Sequence, residues 1–294
     1  MHEPVIGIAI PTWRGHLFIA ETVQSALDQT GVQVRLHVGV DGADRQTAEV
    51  VQNLAGKDAK ITIRGAHCGW VLNNRRTLQE ACANANYAML LPHDDIIAPD
   101  YCQRLTAELQ ANPACSCAYT DIQTFGELDA TISQPEAKGE KLARMETMLQ
   151  NVFAAVSLRG VMPKGIAEQV SLRRNLSGDY AADTLLVFEQ GLLGDLRRIP
   201  EPLYRKRYHR TNTHTGWSKR PRAEQLRDIT SHCAHAFGVA LRAAPAPQDR
   251  IRLLDAAEHR LDWLSETLGD TDPREKRRLA ECRALLKRQA LAPS

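Results

Sequence analysis

Short apolar runs and helical stripes take turns along the first 120 residues. Val5–Ile10 is a mostly apolar run closed by Pro11, and Val34–Val40 is a second that ends on Asp41-Gly42. Ala59–Arg64, Tyr87–Leu91 and Cys115–Asp121 continue the series. Runs this short, bounded by Pro, Gly or Asp, predict strands buried on both faces. Between them Ile19, Val23, Ala26 and Leu27 fall at i, i+4, i+7 and i+8, one face of a helix. Thr47–Leu54, Val71–Ala83 and Tyr101–Gln110 read as further helices. Strand and helix in alternation predict an α/β fold: a mostly parallel sheet with right-handed crossovers and helices on both faces. All its strands then point their carboxyl ends to one edge, where open α/β sheets bind ligands.

Beyond Phe125 the alternation fades. Lys138–Val156 reads as one amphipathic helix, Ser177-Gly-Asp-Tyr-Ala-Ala-Asp183 leads into a helical run Thr184–Gln190, and Arg205–His209 reads as a strand or extended loop. From Trp217 the character changes again. Arg222–Leu241 is helical, Ala243–Pro247 is a breaker, and Leu254, Ala257, Leu261, Leu264 and Leu268 form a stripe at helical spacing. Thr271-Asp-Pro273 starts a last helix, with Pro in its first turn. The expected organisation is one unit over residues 1–216, divided near residue 122, followed by a C-terminal helical extension over 217–294.

Composition narrows the class. The chain has 294 residues, 43% of them hydrophobic, enough for a proper core. No apolar run reaches the roughly 20 residues a bilayer span needs, and Met1-His-Glu-Pro4 has no signal-peptide pattern. The seven cysteines are scattered with no C-x-x-C, so neither a disulfide framework nor a zinc ribbon is expected, and a reducing cytoplasmic location fits. A formal charge of +2 argues against nucleic acid as a partner. From Lys219 onward 15 Lys and Arg face 11 Asp and Glu, so the C-terminal helices are the basic part. Those helices cap the sheet or pair with a second copy in a homo-oligomer; peripheral contact with an anionic membrane is the other open reading.

Three strand ends carry the candidate chemistry: Pro11-Thr-Trp-Arg14, Asp41-Gly-Ala-Asp44 and His93-Asp-Asp95. Adjacent carboxylates at the end of a central strand suit a hard cation, Mg²⁺ or Mn²⁺, which keeps waters and shares one or two carboxylates with substrate phosphates. A plain turn explains the same residues, since Asp is common in turns. Asp41 could likewise close an Asx-turn with Gly42. Trp13 either stacks on a ligand or packs under the sheet. No G-x-G-x-x-G follows the first strand, which disfavours a dehydrogenase. A nucleotidyltransferase is disfavoured too, because Pro11-Thr-Trp-Arg-Gly-His-Leu17 lacks a glycine-rich, basic triphosphate loop.

Pro11-Thr-Trp13, the strand ending in Asp41, Gly69 with Asn73, Leu91-Pro-His-Asp-Asp95 with Pro99 beyond, and Arg207-Tyr-His209 resemble, in order and spacing, the motifs of family 2 glycosyltransferases of the A-type fold. The resemblance covers roughly residues 4–215, with a gap near 126–176. It implies a nucleotide-binding part over about 1–122 and an acceptor-side part over about 123–216. The implied reaction moves a sugar, with inversion, from a nucleoside-diphosphate sugar, UDP favoured, to a glycan or lipid-linked acceptor. It also implies roles: Pro11, Thr12 and Trp13 at the base pocket, Asp41 accepting from the base, Asn73 facing the cleft, Asp94 by the ribose or diphosphate, Asp95 on the metal, and Asp183 as general base. His93 departs from the acidic first position of many members. Asp179 competes with Asp183, as base or as helix N-cap. Arg207 and His209 project to one side and either clamp the diphosphate or form a solvated basic loop; His214 is a further candidate. A binding-only relative without turnover is the alternative function.

Overall fold

The computed structural model describes residues 3–151, 154–174, 179–210, 212, 219–268 and 272–292. His214, Ser177, Gly178, Trp217 and Thr271, named above, lie outside the described residues. The chain runs β1 (Val5–Thr12), α1 (Ile19–Leu27), β2 (Gln33–Val40), α2 (Arg45–Ala55), β3 (Ala59–Ile63), α3 (Trp70–Cys82), β4 (Tyr87–Leu90), β5 (Ile96–Ile97), α4 (Tyr101–Ala111), β6 (Cys115–Gly126) and β7 (Thr131–Ile132). It continues with α5 (Lys141–Asn151), β8 (Met162–Pro163), α6 (Lys164–Ala167), α7 (Ala182–Leu193) and β9 (Asp195–Tyr208). Three helices follow: α8 (Arg222–Ala240), α9 (Pro247–Leu268) and α10 (Pro273–Leu291).

The first sheet has the order β3-β2-β1-β4-β8. β1, β2, β3 and β4 are parallel, as the alternation predicts, and only the two-residue β8 runs against them. Pro163 is tolerated there because β8 is an edge. Ile6, Ile8 and Ile10 on β1 are fully buried, as a central strand covered on both faces requires. Gly7 alternates with them on the other face, beneath α3. A Cβ built on Gly7 would lie 2.1 Å from the Ala81 carbonyl oxygen, so only glycine lets that helix settle on the sheet. Gly7→Ala is expected to cost about 1–3 kcal/mol as helix or strand shifts to relieve the overlap, read as a lower urea midpoint at unchanged m-value.

One expectation differs. The run from Cys115 forms β6, which leaves the parallel sheet and heads a second one of order β5-β9-β6-β7. β6 and β9 pair in parallel over most of their length, with register shifts between Cys115 and Cys117 and between Thr120 and Ile122. β5 joins antiparallel, Ile96 opposite Arg205, which brings the turn after β4 against the end of β9. The two sheets therefore meet at the strand edge where the carboxylates gather.

The C-terminal helices pack on α5 and α7 of the same chain. Leu253, Ala256, Ala257 and Leu261 of α9 are buried, and α9 packs on α5, α8 and α10 while α8 lies on α7. Asp272 caps α10, its carboxylate accepting from the Arg274 N–H at 2.7 Å, with Pro273 in the first turn. Among the described residues no helix is long and apolar enough to cross a membrane.

Candidate active site

β1 and β2 end side by side, Thr12 opposite Val40, and the Asp41 N–H donates to the Thr12 carbonyl at 2.8 Å. Just past this point the chain leaves the sheet through Trp13 and Arg14. Arg14 has φ 53°, left-handed backbone that costs a non-glycine residue about 1–2 kcal/mol. Its N–H is held by the Asp44 carboxylate at 2.8 Å, and its guanidinium lies 4.7 Å from the Trp13 ring centre. Asp44 also caps α2, accepting from the Thr47 N–H at 3.2 Å and the Thr47 hydroxyl at 2.6 Å. These residues wall a cleft of about 440 Å³ together with His16, Asp41 and Gln46. Trp13 is 49% exposed, so its ring stands at the cleft and not under the sheet. Its companion is His67, with ring centres 5.0 Å apart.

Asp41 forms the back of this cleft. One carboxylate oxygen accepts from the Cys68 N–H at 2.7 Å; the other accepts from the Gly69 N–H and His67 Nδ1, both at 2.9 Å. Burial works to raise its pKa, but the N–H bonds and His67 outweigh it and hold the carboxyl below its usual range. The loop can wrap a carboxylate this way because Gly69 takes φ 86° as the cap of α3. The Cys68 thiol adds a further bond to the same carboxylate.

Three neighbours serve the scaffold instead of the cleft. Pro11 and Thr12 are buried within β1, and what they present is backbone: the Pro11 carbonyl bonds the His93 ring and the Thr12 carbonyl bonds Asp41. Gly15 is required beside them, since a Cβ there would come within 2.2 Å of Thr12 Oγ1 and 2.7 Å of the His93 ring. Asn73, expected to face the cleft, is 3% exposed. Its amide donates to the Gly39 and Thr12 carbonyls at 2.8 and 3.3 Å and accepts from Arg64 Nε at 3.2 Å, tying together the ends of β1 and β2. Arg64, which no motif singles out, is itself paired with Glu80 at 2.6 Å.

The adjacent carboxylates after β4 divide their work. Asp95 is 1% exposed. Its Oδ1 accepts from the Arg207 N–H at 2.9 Å and its Oδ2 from the Tyr204 hydroxyl at 2.7 Å, with Arg159 Nε at 3.4 Å. Burial, then the neighbouring Asp94, push its carboxyl up to about 6 against the pull of these partners. Asp95 is thus an internal brace between β5 and β9, contrary to its expected place on an open ledge. Asp94 is the more open of the two: its Oδ2 lies 3.0 Å from His209 Nε2 and 3.1 Å from the Asn212 amide nitrogen. The His209 ring rests on Phe18, centres 4.7 Å apart.

Arg207 and His209 do project to one side, and both meet Phe18. The Arg207 guanidinium, however, is committed. It donates to the Asp94 carbonyl at 3.1 Å and to Glu21 at 2.9 Å, and it lies over the rings of Phe18 and Phe125. A diphosphate clamp would need those bonds broken.

Asp183 stands in the first turn of α7, half-buried, accepting from the Thr184 N–H at 2.9 Å. Ala181, two residues earlier, has φ 49°; it and Arg14 are the non-glycine residues with positive φ among the described ones. Asp179 is not the helix cap: Ala181 occupies that position, and Asp179 pairs with Arg174 at 2.7 Å. The charges of Asp95, Asp183 and Asp94 all reach the Lys206 ammonium and oppose the effect of its burial. Arg159, Tyr204, Lys206 and His67 were missed from sequence. The period-two pattern of Tyr204, Lys206 and Tyr208 is the signal that could have found the β9 pair. Among the described residues no three His, Cys, Asp or Glu side chains cluster as a metal cage.

At the sequence level, the model of a family described as Glycosyl transferase family 2 matches residues 7–168. Chondroitin synthase of Pasteurella multocida (strain Pm70) is 24% identical over 215 residues, 71% of this chain; the chain spans 21% of that relative's length. In shape the chain is similar to residues 1–349 of S. aureus TarS in complex with UDP-GlcNAc, with a TM-score of 0.73, 14% identity, and coverage of 98% of this chain and 82% of that one. It is also similar to the mannosyltransferase PcManGT from Pyrobaculum calidifontis in complex with GDP-Man and Mn²⁺, with a TM-score of 0.54, 12% identity, and coverage of 97% and 81%.

Proposed function

The chain belongs to glycosyl transferase family 2, with the A-type glycosyltransferase fold of its structural neighbours, and from there we propose that it moves a sugar with inversion from a nucleoside-diphosphate sugar to an acceptor hydroxyl. The observation that carries this reading is the meeting of strand ends where the two sheets join: Trp13 and Asp41 follow β1 and β2, and Asp94, after β4, is bonded to His209 at the end of β9. UDP is the favoured nucleotide, since the neighbour with the higher TM-score was solved with UDP-GlcNAc. The acceptor is a glycan or a lipid-linked sugar.

The base enters the cleft beside Trp13, where Asp41 accepts an N–H from it in exchange for one of its present donors. Trp13→Ala is expected to weaken nucleoside-diphosphate binding by about 1–3 kcal/mol, the worth of a base on an aromatic ring, measured by calorimetry. The melting temperature should hardly move, because Trp13 is half exposed.

A divalent ion, Mg²⁺ or Mn²⁺, fits Asp94 and His209. Asp94 Oδ2 and His209 Nε2 lie 3.0 Å from each other and would hold the ion between them, the Asn212 amide nitrogen, 3.1 Å from both, giving way to it. Asp95, the ligand expected from sequence, has both oxygens taken by Tyr204, Arg159 and the Arg207 N–H. Two protein ligands suffice, because such ions complete their shell with substrate phosphate and water. When bound, the ion supplies Lewis-acid stabilisation of charge growing on the departing diphosphate.

The protein's own residues do the rest. The Asn212 side-chain oxygen accepts from the His209 backbone N–H at 2.6 Å, Phe18 backs the His209 ring, and the buried bonds of Asp95 hold β9 against the turn that carries Asp94. Asp183 removes the acceptor proton as the hydroxyl oxygen attacks the anomeric carbon and the bond to the β-phosphate oxygen breaks. Incubation with a panel of UDP- and GDP-sugars plus Mn²⁺, following nucleoside-diphosphate release, tests the reading. Slow release from one donor is expected. No release from any donor, with nucleotide binding intact, would point to a relative that binds without turnover.

A further inference from the structure

We propose that Lys206 is the protein cation that bonds the β-phosphate of the donor, on the side of the breaking bond away from Asp94; this rests on the glycosyltransferase reading above. Along β9 the side chains alternate. Arg205 and Arg207 stack on Phe125, with guanidinium carbons 4.6 and 4.5 Å from its ring centre. Tyr204, Lys206 and Tyr208 take the other face. There Tyr204 bonds Asp95, and Lys206 is half-buried between the two tyrosines.

What sets Lys206 apart is how little of its bonding capacity the protein uses. An ammonium has three donors. Among the described residues its partners are the Tyr208 hydroxyl at 3.5 Å and the Tyr208 ring at 4.8 Å, and it forms no ion pair. Arg159 is spent on Asp95, the Ala155 carbonyl and the Tyr204 ring. Burial first, then repulsion by Arg159, pull the Lys206 ammonium down to about 8, opposed by Asp95, Asp183 and Asp94. A half-buried cation without an ion-pair partner is costly unless a ligand answers it, and the ligand here is a dianionic group.

The position suits the reaction. Acceptor oxygen, anomeric carbon and leaving oxygen lie in line, with Asp183 at the attacking end and Asp94 at the leaving end. On β9 Lys206 lies between Tyr204, bonded to Asp95 at 2.7 Å, and His209, 3.0 Å from Asp94, which puts it beside the carboxylates at the leaving end. As the glycosidic bond breaks, its electron pair passes to the β-phosphate oxygen and the acceptor proton to Asp183. Lys206 keeps its proton throughout and donates a hydrogen bond to the oxygen that gains charge.

The test compares UDP with UMP by calorimetry in the full chain with Mn²⁺, because only the diphosphate reaches Lys206. Lys206→Met and Lys206→Gln should each cut the UDP-over-UMP preference by about tenfold or more, the worth of a charge-assisted bond, while UMP affinity stays at the wild-type level. Lys206→Arg should keep most of the preference. Should both neutral variants retain the wild-type ratio, the proposal is overturned, even if they melt earlier, since a purely structural lysine lowers stability without touching the ratio. Failure of the wild-type protein to bind either nucleotide would overturn the donor reading itself.

Discussion

Asp183→Asn is expected to slow sugar transfer by about 10²- to 10⁴-fold while leaving donor binding unchanged. Asparagine keeps the shape of the side chain and its bond from the Thr184 N–H, but it cannot take a proton from the acceptor hydroxyl. The lost rate corresponds to about 3–5.5 kcal/mol of barrier. Single-turnover kinetics with saturating donor isolates this step, and calorimetry with the nucleoside diphosphate supplies the control. Asp179→Asn is the internal comparison: its carboxylate is paired with Arg174 at the surface, so its removal should leave the chemical step alone. Equal loss in both variants, or near-normal turnover in Asp183→Asn, would remove Asp183 from the role.

The second large effect separates the adjacent carboxylates after β4. Asp94→Asn should abolish the dependence of nucleoside-diphosphate affinity on Mn²⁺, with affinity in Mn²⁺ falling to its value in chelator, while the melting temperature stays near that of the wild type. Asp95→Ala should fail differently. It leaves Arg159 and the Tyr204 hydroxyl buried without their acceptor, a loss of about 3–5 kcal/mol when one partner of a buried pair is removed. Denaturant unfolding would show this as a large drop in midpoint. If Asp95→Ala were to fold normally and lose only its metal response, the assignment of the ion to Asp94 and His209 would have to be reversed.

Much of the frame was legible in the sequence because it is local. Apolar runs of strand length separated by helical stripes dictate parallel pairing, and parallel pairing places Trp13, Asp41 and Asp94 on one edge whatever the details. Asp272 and Pro273 announce a helix start by their own chemistry. The rest depends on partners far away in the chain. Whether Asp94 or Asp95 looks outward is settled by Tyr204 and Arg207, more than a hundred residues later. Neighbouring residues on an extended turn point different ways, and nothing between positions 91 and 99 says which. Arg207 reads as a phosphate binder until Phe18, Phe125 and Glu21 are seen around it. Asn73 reads as a cleft residue until Gly39 and Thr12 are seen to need its amide. The second sheet was hidden for the same reason, since β6 finds its partner β9 some eighty residues downstream.

The alternation along β9 limits how this site can diversify. One edge of the strand carries the groups that meet Phe18 and Asp94, the other those that meet Asp95 and Lys206's surroundings, and a pleated chain swaps the two sets whenever its length changes by one. Insertions or deletions between Tyr204 and His209 are therefore tolerable only in even numbers, and homologues with new specificities must acquire them through the loops that flank the strand, whose lengths carry no such parity.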